Sequence, residues 1–202
     1  MAEALRARLD ASEIVWDPDP DAQVRSPWRT YRHALRTTPG WATHRLIVQE
    51  DIEPCRNFLA TVKLVAARRP QEIVSFFVAG SPTTGRLAVE EACKTGARYA
   101  EFPSGTWVPA IALLWPVRII LPFLTWVSMQ QWPETFSADD EVIGRGLTAL
   151  RETVWATVPS LVEHPDTEPS VVARRRHMAG ADLDRVAACL IYDDLDPLSL
   201  DW

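Results

Sequence analysis

The stretch from Phe102 to Pro133 constrains the fold more than any other part of the chain, because it carries a single charge, Arg118. Hydropathy alone flags a membrane span. Pro109, Pro116 and Pro122 break any helix running through it, and the charge falls mid-run. The stretch therefore reads as a buried strand, TWVPAIALLW, turning at Pro116 into a helix, VRIILPFLTWVSMQ, with the proline near the first helical turn where its missing N–H is harmless. No membrane span is expected.

A length of 202 residues fits one domain, spanning 1–202, around such a core. With 47% apolar and 24% charged residues the chain has the composition of a folded globular protein. A net charge of -6 argues against a surface given over to polyanions, while leaving room for a local basic patch. Nine tryptophans supply packing surface and also flat platforms for sugars or bases. Cys55, Cys93 and Cys189 are odd in number and form no CxxC pair, which speaks against a disulfide framework or a thiolate zinc site. The opening MAEALRARLDASEIVW lacks the apolar stretch of a secretory signal, so a cytoplasmic location is expected.

Strand and helix signals alternate. AEALRARL reads as a helix, EIVW as a short strand and DPDPDAQ as a loop. SPWRTYRHALRTT is a helix capped by Ser26 with Pro27 first, and RLIV is a strand running into QEDIE. RNFLATVKLVAARR and RLAVEEACKT are helical, with strand IVSFFV between them and RYAEF after them. ADDEVIGRGLTALRE opens a helix, VWATVPSLV is a strand, and VAACLIY is a final strand. The order predicts an α/β fold, a mostly parallel central sheet with helices on both faces.

Three constellations carry possible chemistry. HRLIVQEDIEPC delivers Gln49, Glu50 and Asp51 at the carboxyl end of a strand, where open α/β sheets bind ligands, and paired carboxylates suit Mg²⁺ or Mn²⁺. A solvated acidic loop explains the same residues. In SADDEVIGRG, Asp139 and Asp140 either favour the positive end of a helix capped by Ser137 or act as a general base. In TVPSLVEHPDTEPS, His164 follows a strand and reads as a third metal ligand or as a solvated loop histidine. No P-loop, GxGxxG, GxSxG or HExxH motif is present, which removes the corresponding ATPases, dehydrogenases, serine hydrolases and zincins.

Taken in order, VQED, the buried apolar strand, the ADD-headed helix and PSLVEH resemble a small GT-A-type glycosyltransferase of phage or bacterial origin. The chain is similar to the lipopolysaccharide family 25 type and to TET-associated glycosyltransferases that decorate hydroxymethylated cytosine in DNA. The likeness spans roughly Ser26 to Ser170. It implies a nucleotide-sugar donor, most simply a UDP-sugar, and a Mn²⁺ or Mg²⁺ ion held by Asp51 with Glu50 and His164. It further implies Asp140, or Asp139, as the base that activates the acceptor hydroxyl. Donor binding would fall to Asp17, Arg32, Gln49 and Trp28, with Trp107 and Trp115 bordering the acceptor pocket.

Two departures stand out. Glu50 replaces the first of two usual aspartates, and the chain opens in a helix where this fold opens in a strand, so a first strand is expected to be missing. The arginine run ARRRH at 173–177 and the RTYRHALR helix offer cations to DNA phosphates or to the donor diphosphate. The acceptor classes left open are modified DNA, a cell-surface glycan and a protein. A catalytically inactive nucleotide-sugar-binding module and a phage interaction protein are the alternatives.

Overall fold

The computed structural model describes residues 1–9, 13–22, 26–79, 84–103, 105, 107–130, 138–165, 187–189 and 195–202. Helix α1 is Ala2–Leu9 and α2 is Pro27–Arg36; strand β1, His44–Val48, and the two-residue β2, Glu53–Pro54, follow. Then come α3 (Phe58–Arg68), β3 (Ile73–Ser75), α4 (Thr84–Thr95), β4 (Tyr99–Glu101), β5 (Ala112–Pro116) and α5 (Val117–Met129). Helix α6 (Asp139–Ala149), β6 (Val154–Thr157), β7 (Val162–Glu163) and a 3₁₀ turn at Pro197–Ser199 complete the order.

The fold is mixed α/β. The main sheet has the order β1-β5-β3-β6-β4, in which only β3 and β6 pair in parallel and the other three neighbours are antiparallel. A mostly parallel sheet was the expectation, and the sheet is instead mostly antiparallel. The cause lies in how the chain reaches β5. Strand β4 ends beside Val154, and the segment after it runs back along α6: Gly105 N–H donates to Thr148 Oγ1 near the helix end, and Ala110 N–H to Asp140 Oδ1 at its start. The chain thus enters β5 from the end at which β1, β3 and β6 finish. Those three strands share one direction, and β5 is threaded antiparallel between β1 and β3.

Helices cover both faces, as expected. Side chains alternate along β5, so Leu113 and Trp115 join the core beneath α2, α4, α5 and α6, while Ala112 and Leu114 join the core beneath α1 and α3. In α2, Trp28, Tyr31, Ala34 and Leu35 fall on one buried stripe, Pro27 opens the helix and Ser26 Oγ accepts from Arg29 N–H, as its sequence predicts. Gly146 of α6 sits so close to α5 that a Cβ there would collide with the Phe123 ring.

Several strands are shorter than expected. EIVW at 13–16 forms no strand; Val15 packs on the core and Glu13 pairs with Arg45 of β1. Pro109 and the turn at 110–111 delay β5 to Ala112. VWATVPSLV divides into β6 and β7, with a cis Val158–Pro159 bond between them, and β7 leaves the main sheet to pair with β2. Of VAACLIY only 187–189 is described, Ala187 forming a single bridge to Ala79. Ser137 and the arginine run at 173–177 lie outside the described residues.

Candidate functional site

The carboxyl ends of β1, β3 and β6 meet at one edge of the sheet, and the acidic motif QED lies there, directly after β1. Gln49 N–H still bonds to Ile111 C=O, so the backbone is held in register with β5 before it turns at Glu50 and Asp51. Strand β2 then pairs with β7 in the register Glu53 to Glu163 and Pro54 to Val162. That short ladder carries the PSLVEH segment to the acidic turn.

Its result is a direct contact between residues 113 apart in sequence: His164 Nε2 lies 3.0 Å from Asp51 Oδ2. His164 is buried, 2% exposed, with the Phe77 ring at 6.3 Å; the Asp51 side chain is 30% exposed, with its Oδ1 buried. Glu163 Oε1 accepts from His164 N–H and Ala187 N–H, both at 2.8 Å, which fixes the backbone that presents the imidazole.

Beside this pair runs a groove of about 320 Å³ between α1 and the acidic turn, lined by Leu5, Arg8, Glu50, Asp51, Glu53 and Pro165 among others. Arg8 donates to Pro54 C=O at 2.8 Å and brings a cation to an otherwise acidic wall. Arg8 is a site residue that the sequence did not single out. It lies on an opening helix whose one buried residue is Leu9, a pattern too weak to orient its faces.

Asp51 and His164 bring one carboxylate and one imidazole donor together. The 3.0 Å between Asp51 Oδ2 and His164 Nε2 is that of a direct hydrogen bond, and the same two atoms are of the kinds that would ligate a divalent cation. Among the described residues no three His, Cys, Asp or Glu side chains gather, and Glu50 lines the groove without completing a triad. A carboxylate with an imidazole would suit Mn²⁺ better than Mg²⁺.

The other expected residues lie elsewhere. Asp139 and Asp140 open α6 on the face beneath α2 and α5, opposite the α1 groove. Asp139 is buried and accepts from Gln49 Nε2 at 3.3 Å, and Asp140 Oδ1 accepts from Ala110 N–H at 2.7 Å. Burial raises both carboxyls above the ordinary range, and the Asp140 charge raises Asp139 further. The two acids are thus a well-partnered helix start as well as candidate bases.

Asp17 is held by Arg29, whose Nε donates to Oδ1 at 2.6 Å and Nη2 to Oδ2 at 2.5 Å; this pairing lowers its pKa. Arg32 lies on the same helix. Trp28 is 6% exposed, stacked on Tyr31 and edge-on to Phe123, so it offers no open face to a ligand. Trp115 is likewise interior and donates to Tyr31 Oη at 2.8 Å, whereas Trp107 is exposed. Of the expected donor residues, Asp17, Arg32 and Trp28 therefore gather around α2, while Gln49 stands beside the acidic turn and donates to Asp139.

No protein-family model matches the chain, and no curated protein matches it.

Proposed function

We propose that the protein is a glycosyltransferase that uses a divalent cation and takes a sugar from a nucleotide-sugar donor. The observation that carries this reading is the Asp51–His164 contact, which joins VQED and PSLVEH at the strand ends where open α/β sheets bind ligands. Asp51 and His164 would hold Mn²⁺ or Mg²⁺, which when bound neutralises charge on the leaving diphosphate. Arg8, across the groove, would meet the diphosphate in place of Arg32, and the Asp51 side would carry the nucleotide in place of Asp17 and Trp28.

In the transfer, the bond from the sugar's anomeric carbon to phosphate oxygen breaks and a bond to the acceptor oxygen forms. The acceptor proton passes to a carboxylate; Asp140, the residue expected in that role, would serve if the acceptor hydroxyl is brought to the start of α6, across the sheet from the groove. The raised pKa of Asp140 suits that task, since a base works best when its pKa lies near the working pH. The acceptor is proposed as hydroxymethylated cytosine in DNA, with a surface glycan the competing choice.

A second reading has a specific observation in its favour. Asp139 and Asp140 lie across the sheet from the Asp51 groove with complete structural partners, as suits a nucleotide-sugar-binding module without transferase activity. Incubation with UDP-sugars, Mn²⁺ and DNA with or without hydroxymethylcytosine tests both. Acceptor-dependent release of UDP that Asp51→Ala abolishes supports the transferase. Metal-dependent UDP binding without turnover supports the binding module.

A further inference from the structure

We propose that Cys93 and Cys189 form a reversible disulfide, a redox clasp between the last turn of α4 and the segment 187–189 that helps to orient His164. The two cysteines are far apart in sequence and meet through the chain that follows β6. Val158 N–H donates to Arg98 C=O at 2.8 Å, just past the end of α4, and Ser160 N–H donates to Cys189 C=O at 2.6 Å. The stretch 158–160 is thus bonded to the α4 end on one side and to Cys189 on the other. Cys189 packs on the core to which Val89 and Ala92 of α4 belong, and its side chain meets that of Cys93.

Exposure divides the roles. Cys93 is exposed and Cys189 is half-buried. An accessible thiol poised beside a second, resolving thiol is the arrangement of a redox sensor. Cys55 lies apart, against the core beneath α1 and α3. One adjacent pair out of three cysteines makes a switch and not a disulfide framework.

The oxidant is a low-molecular-weight disulfide, RSSR. The Cys93 thiol gives its proton to solvent and the thiolate attacks one sulfur of RSSR; the S–S bond breaks, and RS⁻ leaves and is protonated. Cys189 then gives up its proton and attacks Cys93 Sγ in the mixed disulfide, expelling the second RS⁻. Two protein thiols are oxidised and RSSR is reduced to two RSH. Burial, and after it the neighbouring Cys93, push the Cys189 thiol up to about 12. The Cys93 contribution is relieved once that thiol is capped, which favours closure.

The clasp reaches the acidic groove through Glu163. Ala187 bridges to Ala79, and Ala188 N–H donates to Val78 C=O at 2.8 Å. Ala187 N–H and His164 N–H share Glu163 Oε1 as their acceptor. Tying Cys189 to α4 therefore steadies the segment that, with Glu163, fixes the His164 backbone, whatever the groove binds.

The whole protein, equilibrated with mixtures of oxidised and reduced glutathione, quenched and alkylated, tests this by mass spectrometry. The parent should lose two hydrogens and yield one peptide linking 93 to 189, with Cys55 still open to alkylation, and dithiothreitol should restore the free thiols. Cys55→Ser should behave as the parent. Cys93→Ser, at an exposed position, should form no bridge. Hydrogen exchange at the 187–189 and His164 amides should slow several-fold on oxidation of the parent and stay unchanged in Cys93→Ser. A parent that stops at the glutathione adduct of Cys93, a bridge to Cys55, or a bridge found only between two molecules would overturn the proposal. So would exchange at His164 that ignores oxidation.

Discussion

The Gln49 side-chain amide donates to Asp139 Oδ2 at 3.3 Å, tying the end of β1 to the first turn of α6 across 90 residues of sequence. The bond holds a carboxyl that burial keeps protonated above its ordinary range. In the unfolded chain Asp139 ionises near pH 4, while in the folded protein it keeps its proton to higher pH. Its favourable contribution is therefore complete below the unfolded value and is lost as pH rises toward the folded one. Asp139→Asn keeps an acceptor for Gln49 and removes the titration. Thermal melts should show the variant gaining on the parent between pH 5 and pH 8, by about 1–3 kcal/mol. A constant difference across that range would contradict the assignment.

Gly146 lets α6 approach α5 at the Phe123 ring. Phe123 is fully buried against Trp28 and Trp115, so it has little freedom to move aside. Gly146→Ala should destabilise the protein by about 1–3 kcal/mol through overpacking, despite alanine's better helix propensity. A denaturant titration measures this, and a stabilised variant would show that the two helices part readily.

The thiols should differ in reactivity. Burial pushes Cys55 up to about 12 and Cys189 up to about 12, the latter aided by the neighbouring Cys93. Thiolate is the reactive form, so iodoacetamide at pH 8 should label exposed Cys93 first and the other two far more slowly. Mass spectrometry of the alkylated peptides reads the order. Rapid labelling of Cys55 would show that its surroundings open in solution.

The sequence made some of this legible and left the rest open for identifiable reasons. Ser26, Pro27 and the helical spacing of Trp28, Tyr31, Ala34 and Leu35 spelled out α2, and that buried stripe takes Trp28, expected at the donor, into the core. The acidic turn after β1 was equally plain. Strand direction was not, because alternation and apolar runs look the same in parallel and antiparallel strands. The antiparallel entry of β5 depends on Gly105 and Ala110 bonding along α6, contacts 43 and 30 residues long. Asp17 looked available for a ligand because its partner, Arg29, lies 12 residues on and meets it only after α2 folds. The family resemblance put His164 with Asp51 and Glu50, whereas the residues alone did not: β2, two residues long and containing Pro54, gave no strand signal that would have joined them.

Calorimetric titration of UDP, with and without Mn²⁺, into the parent protein and into Asp51→Ala and His164→Ala measures the central claim most directly. The Asp51–His164 pair predicts binding that requires Mn²⁺ in the parent and weakens at least ~100-fold in either variant, with both variants still folded. UDP binding that is indifferent to Mn²⁺, or unchanged when Asp51 and His164 are replaced, would contradict it.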